Sequence, residues 1–311
     1  MHGPTCGEEP APSDACSTHF DCYPERVCAR WRSDGDAHCS APCGSSAECA
    51  QGEVCEKLPG GANVGFCEPA PSGLVASGGA CSSDAGCAAG ACVDGVCRAT
   101  CFSEGACAAS GESCAIAMHD GVPRAASACA PAGGRLPVGA LCTPDGGQSW
   151  NGAACASGHC DLMPYPSSMV LPCAALCGAE ADCGGQEECA VVVYGEAAAA
   201  AAMPFHPQLA PPTHDAVSAC FTPPIPGGTK LEGEPCAAPE ECRSDKCLHL
   251  APGDAQRYCS ALCSDDDQCP SDMRCKLDTL TLASPWFQSP YIDAQAPAPS
   301  AWTLVRVCKF E

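Results

Sequence analysis

Apolar and polar residues alternate along Lys276-Leu-Asp-Thr-Leu-Thr281 and again along Trp302-Thr-Leu-Val-Arg-Val-Cys308. A period of two predicts strands with one face inward, so the two runs predict a long hairpin over 275–308. Shorter hairpins are predicted where Asp-Gly lies between cysteines, at Asp34-Gly35, Asp94-Gly95 and Asp120-Gly121. The favoured two-residue turn needs positive φ at both central positions, which Asp-Gly tolerates. Little helix is expected. Ala197–Ala202 favours helix, but so short a run nucleates poorly alone, and the Pro-rich continuation to Pro212 cannot extend it. We expect 197–212 to be a low-complexity insertion between two strands. No stretch approaches the roughly 18 apolar residues of a membrane-spanning helix.

Cysteine spacing orders these elements. Eight units read C-x5-C-x4/6-C, then a variable excursion, then a closing Cys. They run Cys16–Cys39, Cys43–Cys67, Cys81–Cys97, Cys101–Cys129, Cys142–Cys173, Cys177–Cys220, Cys236–Cys259 and Cys263–Cys308. The fifth alone has a long first gap, Cys142 to Cys155. Such a period is the signature of a repeat architecture. The units come in pairs joined by three residues whose middle one is Ala41, Ala99, Ala175 or Ala261. Pro/Gly-rich connectors separate the pairs at 68–80, 130–141 and 221–235, with Gly79, Gly139 and Gly233 ahead of the opening cysteines. That composition reads as exposed linker. The chain thus divides into four modules: 1–67 with Cys6, 80–129, 140–220 with the insertion 197–212, and 233–311 with the hairpin 275–308. The last holds Cys236, Cys242, Cys247, Cys259, Cys263, Cys269, Cys275 and Cys308 as structural disulfide cysteines. Four cysteines allow three connectivities; first-to-third with second-to-fourth is our working expectation.

Composition says why cross-links are needed. Aromatic residues make up 5% of the 311, against 32 Gly, 30 Pro and 33 Cys. So few large side chains bury too little apolar area to offset chain entropy. The expected fold is small and disulfide-rich: an elongated string of tandem modules of short β-hairpins, with no large hydrophobic core. Disulfides on this scale imply an oxidising compartment, hence a secreted or cell-surface protein. Met1-His-Gly-Pro-Thr-Cys6 has neither the basic start nor the apolar core of a leader, so we expect a mis-assigned start or a leader already removed. The net charge of −22, from 37 acids and 15 bases, with no Lys/Arg cluster, argues against nucleic acid and anionic membranes as partners. Its simplest role is solubility.

Motifs for chemistry are scarce. C-x2-C and C-x-C are absent, which removes zinc knuckles, iron–sulfur ligation, haem attachment and thioredoxin-type redox sites. We expect no cofactor and no metal; a thiol-rich metal-binding protein is one alternative. His38 and His159 precede cysteines and read as exposed polar loop residues, while His206 and His214 flank the Pro-rich segment. Nucleophile elbows, H-E-x-x-H and phosphate loops are missing, so no catalytic residue is assigned. Asp265-Asp266-Asp267 with Asp272 lacks the spacing of an EF-hand loop. Asn63 and Asn151, the two asparagines, lie outside glycosylation sequons. The candidate recognition site is the tip of the last hairpin, where Trp286, Phe287, Tyr291 and Ile292 gather scarce apolar residues between prolines. Exposed aromatics anchor binding surfaces; the competing reading is that they cover their own hairpin. Cys6 is left over, and is the candidate for a disulfide-linked dimer.

The C-x5-C-x5-C spacing, with an acid before the second cysteine at Asp21, Glu48, Asp182 and Glu241, resembles the cysteine-rich repeats of secreted bacterial surface proteins. These are grouped with the Dickkopf N-terminal cysteine-rich domain, and Cys269-Pro-Ser-Asp-Met-Arg-Cys275 is the nearest match. The adjacent Cys-Cys of the later Dickkopf pattern is absent, so receptor signalling is not carried over. The resemblance implies an extracellular, non-enzymatic module for binding, adhesion or extracellular structure, with a protein or surface glycan as ligand. A secreted protease inhibitor, plugging an active site with a rigid disulfide-framed loop, is the other alternative.

Overall fold

Cysteines pair first with third and second with fourth in every run of four, giving 16 disulfides, all within the chain. The computed structural model describes residues 15–22, 25–32, 35–119, 122–132, 135–142, 155–160, 171–184, 187–196, 214–221, 228–244, 246–249, 256–281 and 302–310. Third and fourth cysteines stand opposite each other across a hairpin, as in Cys28↔Cys39, Cys55↔Cys67, Cys92↔Cys97 and Cys275↔Cys308. Opposite residues share a face of the sheet. Both sulfurs therefore reach the loop bearing the first and second cysteines and pin it across the hairpin.

The strands are β1 (Val27–Arg30), β2 (Ala37–Ser40), β3 (Pro42–Cys43), β4 (Glu53–Lys57), β5 (Gly65–Pro69) and β6 (Ala91–Val93). Next come β7 (Val96–Arg98), β8 (Ser113–His119), β9 (Val122–Ala130), β10 (Leu141–Cys142), β11 (Leu171–Pro172) and β12 (Glu188–Glu196). The last are β13 (His214–Phe221), β14 (Pro235–Cys236), β15 (Cys247–Leu248), β16 (Arg257–Cys259), β17 (Met273–Thr281) and β18 (Trp302–Phe310). Sheets have two or three strands, all antiparallel, and the described residues contain no α-helix, only short 3-10 turns. The fold class is thus the expected one of small disulfide-rich hairpin units. The alternating runs form β17 and β18, in register from Met273↔Phe310 to Thr281↔Trp302. Asp94 and Gly95 turn β6 into β7 with φ of 51° and 76°, the positive pair that Asp-Gly predicts. Asp34 and Asp120-Gly121 lie outside the described residues, as does 197–212.

Two hydrogen bonds of the cysteines recur from unit to unit. The closing cysteine donates its N–H to the carbonyl two residues before the opening cysteine, at 2.8–3.0 Å, for Ala41, Gly79, Ala99, Ala140, Ala175, Glu234 and Ala261. The third cysteine's N–H donates to the side chain three residues after the opening cysteine. His19, Ser46, Asp84, Glu104, Glu180 and Asp266 accept from Cys28, Cys55, Cys92, Cys114, Cys189 and Cys275. In the seventh unit Pro239 holds that position and has no acceptor to offer. Replacing Asp84 by Ala should lower hydrogen-exchange protection of the Cys92 amide about fivefold to tenfold, the cost of one hydrogen bond of about 1 kcal/mol. Unchanged protection would show the bond to be idle.

The connectors are not free tethers. Gly78, Gly139 and Gly233 stand three residues before an opening cysteine at φ of +90°, +80° and +88°, a region that glycine enters without strain. Each donates to the carbonyl of the closing cysteine, Cys97, Cys173 or Cys259, at 2.8–2.9 Å. The equivalent of Gly139 and Gly233 is therefore Gly78, while Gly79 fills the slot of Ala140 and Glu234. Val75, Leu136 and Lys230 bridge in parallel to the second cysteines Cys87, Cys155 and Cys242.

The expectation of an elongated string fails on packing, because the second, fourth, sixth and eighth units close a ring. Phe102 packs on the Cys43/Cys55/Cys67 cluster, and Ser45 bridges Cys101. Ile116 meets Leu176, Val217 and Ala219. Val191 and Ala216 meet Val305, Val307 and Ala62. Gly61 bridges Leu304, with Ala62 N–H to Leu304 O at 2.8 Å and Leu304 N–H to Gly60 O at 2.9 Å. Asn63 completes the closure. Its Nδ2 donates to Gly178 O at 2.7 Å and to Cys263 O and Arg306 O at 3.3 Å each, while its Oδ1 accepts from Arg306 N at 3.0 Å. Cores remain small clusters rich in Cys, Ala and Val.

Candidate functional site

Trp286, Phe287, Tyr291, Ile292 and Cys6 lie outside the described residues. The cysteines Cys236, Cys242, Cys247, Cys259, Cys263, Cys269, Cys275 and Cys308 are placed, paired as 236–247, 242–259, 263–275 and 269–308.

A cleft of about 540 Å³ opens where the second unit meets the eighth, lined by Glu25, Glu48 and Asp265–Asp267 on the acidic side. Arg274, Lys276 and Arg306 oppose them. Its floor is set by the closure of the ring. Arg306 sits on β18, paired with Leu277, and its guanidinium is largely buried and donates to Ser264 O. Burial lowers the Arg306 pKa, against the pull of Glu48, Asp265 and Asp266, which favour its charge. Asp266 Oδ1 accepts from Cys275 N at 2.7 Å and Oδ2 lies 3.7 Å from Arg274. Ser264 donates its hydroxyl to Gln268 Oε1 at 3.0 Å. Of the lining groups, Arg306, Asp266 and Glu48 are tied to backbone groups of Ser264, Cys275 and Gly44.

The acids before the second cysteines have a structural task, a further hydrogen bond common to several units. Asp21 Oδ2 accepts from Ser17 N and Thr18 N at 2.7 and 2.9 Å, and Asp182 Oδ2 from Gly178 N and Ala179 N at 2.8 and 3.0 Å. Glu48 accepts from Gly44 N at 2.9 Å and Glu241 from Ala237 N at 3.3 Å. Gln268 does the same for Ser264 N and Asp265 N, so an acceptor is what the turn requires, with or without charge. The backbone bonds hold the Asp21 carboxyl below its usual range. The Glu241 carboxyl is lowered first by its hydrogen bond from Lys230 and then by Ala237.

Three sulfurs come within 4.8 Å of one another in several units, Cys16, Cys22 and Cys39 among them. They are disulfide sulfurs, and metal ligation needs thiolate. A metal would enter only after reduction.

Two readings of single residues change. His159, expected to be exposed, is buried at 5% exposure, and burial lowers its pKa to about 4. His38 is half-buried, stacked on Trp31 with ring centroids 4.0 Å apart. Asn63, singled out in sequence only for lacking a sequon, is the ring's central connector. One clue to it was in the sequence: an asparagine is rare in this chain and stands inside a hairpin excursion.

His159 sets an expected pH dependence. Its folded value lies below the ordinary 6.5, so the unfolded chain takes the proton more readily and stability falls as pH drops from about 6.5 towards 4. The shift corresponds to about 3 kcal/mol. Protection of the Ala174 amide, bonded to His159 O at 3.1 Å, should decline over that window in the native protein and stay level in His159→Phe. An equal decline in both would assign the effect to another group.

Comparisons with family models, with curated proteins and with solved structures find no match for this chain. The fold is that of small disulfide-rich hairpin units repeated along the chain. Among the described residues no helix is long and apolar enough to cross a membrane. The density of disulfides fits an oxidising environment.

Proposed function

We propose that this protein is a non-enzymatic, secreted or cell-surface cysteine-rich repeat protein acting in binding, adhesion or extracellular structure. The observation that carries the reading is one disulfide frame used throughout, with hydrogen bonds that recur in most units, on which excursions range from Cys92–Cys97 to Cys275–Cys308. A constant frame with variable loops suits display of different contact surfaces. Several of the acids, among them Asp21, Glu48, Asp182 and Asp266, accept hydrogen bonds from backbone groups of the frame. The resemblance to bacterial surface repeats points the same way. The ligand class is a protein or a surface glycan, met by the 282–301 excursion with Trp286, Phe287, Tyr291 and Ile292, and Cys6 is a candidate link to a second chain.

The test uses the full chain and its Trp286→Ala/Phe287→Ala variant on a glycan array and on immobilised extracellular-matrix proteins, with a panel of secreted proteases alongside. Saturable binding lost in the variant supports the reading. Tight inhibition of a protease without cleavage would replace it with the inhibitor, and catalytic turnover of any probe would end it.

A further inference from the structure

Arg32 leaves the tip of the first unit's hairpin and enters a site built by the next two units, where its own side chain stays 31% exposed. Its Nε donates to Glu68 Oε1 at 2.9 Å and its backbone N to Glu68 Oε2 at 2.7 Å. Its guanidinium also pairs with Glu56 Oε1, and donates to Cys87 O at 3.0 Å and Ala88 O at 2.6 Å. Glu56 Oε1 in turn accepts from Gly90 N at 2.8 Å. Glu56 lies on β4 and Glu68 on β5, with side chains 15% and 0% exposed. Three units thus meet at three charged side chains.

Gly90 has φ +69°, and a Cβ there would come within 2.0 Å of Arg98 O and 2.9 Å of Thr100 N. The turn is therefore held with its amide aimed at Glu56, and no larger residue fits.

The charges do not balance. Two carboxylates, both largely buried, face one guanidinium that is partly exposed, and Asp84 adds a further negative charge from the third unit's 3-10 turn. With both glutamates ionised the site carries a net negative charge that burial makes costly. With one proton added the Arg32, Glu56 and Glu68 trio is neutral, and each of its hydrogen bonds can persist. We propose that Arg32, Glu56 and Glu68 form a proton-operated clasp that holds the Cys87–Gly90 turn of the third unit on the first two, closed in mild acid and loosened above neutral pH.

The proton resides on Glu56. Desolvation raises its pKa from 4.5 to about 7, against the pull of Arg32 and Gly90 N–H and with the push of Glu68 and Asp84. The folded value is above the ordinary one, so the contribution to docking is complete below about 4.5 and is lost as pH rises through about 7. Docking takes up a proton from solvent and opening returns it.

The test is hydrogen exchange at the Gly90 amide in the full oxidised chain, corrected for intrinsic rate, from pH 5 to 8.5. Protection should fall by about a hundredfold with rising pH in the native protein and stay level in Glu56→Gln, whose amide oxygen still accepts from Gly90. The Leu58 amide, bonded to Val64 O within the second unit at 3.1 Å, should hold its protection throughout. A level profile in the native chain, or an equal fall in the variant, overturns the proposal. As a second readout, the Glu56 side-chain carboxyl followed by NMR should titrate near 7; a midpoint near 4.5 overturns it without any variant.

Discussion

Replacing Asn63 by Ala is expected to weaken the closure of the ring while leaving every unit folded. The side chain is 1% exposed, and it meets four backbone groups contributed by three stretches far apart in sequence. Removing it leaves Arg306 N–H and the Gly178 carbonyl buried without this partner, at about 1–3 kcal/mol each. The closure keeps the backbone bonds of Gly60 and Ala62 with Leu304 and two apolar clusters, one around Ala62, Leu262 and Val305 and one joining Leu58, Val64 and Phe66 to Leu277 and Leu304, so the loss is a weakening of this one contact. We expect a loss of about 3 kcal/mol or more in the contact between the second and eighth units. It should appear as a hundredfold or greater loss of exchange protection at the Ala62 and Leu304 amides. The Cys67 amide, bonded to Ala41 in the joint just ahead of its unit, should be spared because two disulfides hold that unit. Asn63→Asp should do more damage, since its carboxylate would face the Gly178, Cys263 and Arg306 carbonyls. Intact protection at Ala62 and Leu304 in Asn63→Ala would show that apolar packing alone closes the ring.

Full reduction should have the larger effect and unfold the chain in native buffer. The bonds close loops of sequence separation from 10 to 39, and each contributes about 2–4 kcal/mol on the chain-entropy account. What would remain is a set of hairpins with cores made chiefly of Cys, Ala and Val, and isolated hairpins are marginal in water. Among the described residues fully buried large side chains are few, Leu58, Ile116, Leu176, Leu262, Met273 and Leu304 leading them. The measurement is amide protection across β12 and β13 with intact mass and thiol alkylation run in parallel. The oxidised chain should weigh less than the reduced one by two hydrogens for each of the 16 disulfides, about 32 Da. Protected amides that survive complete alkylation would mean that the hairpins hold by packing, and would overturn the view that cross-links carry the fold.

The two results would separate two levels of organisation, the covalent unit and the ring that joins units. A protein of this kind can lose the second and keep the first. Loosening at the Arg32 clasp or at Asn63 would change how excursions are presented without unfolding the frame that carries them.

Within a unit, most of this was legible in the sequence. Strand pairing follows from the alternation at 276–281 and 302–308, and the Asp94-Gly95 turn from its φ requirement, because both depend on residues near in sequence. The disulfide partners were left by the spacing at three connectivities, and the structure shows the one taken as the working expectation. Serine, aspartate and glutamate three residues after the opening cysteine were visible as residue types, yet their bond to the third cysteine became evident only from the units' shared geometry in space. The roles of Asn63, His159, Arg32 and Glu56 were not legible. Each depends on groups remote in sequence or on burial by other units, such as Gly178 and Arg306 for Asn63 or Cys87–Gly90 for Arg32, and spacing carries no information on which units dock. By itself the sequence determined the repeat and the cross-linked hairpin. Tertiary structure alone decided that the even-numbered units close on one another and that a few polar side chains sit buried at the joins, because backbone donors and acceptors exposed by such small units must find partners across the contact.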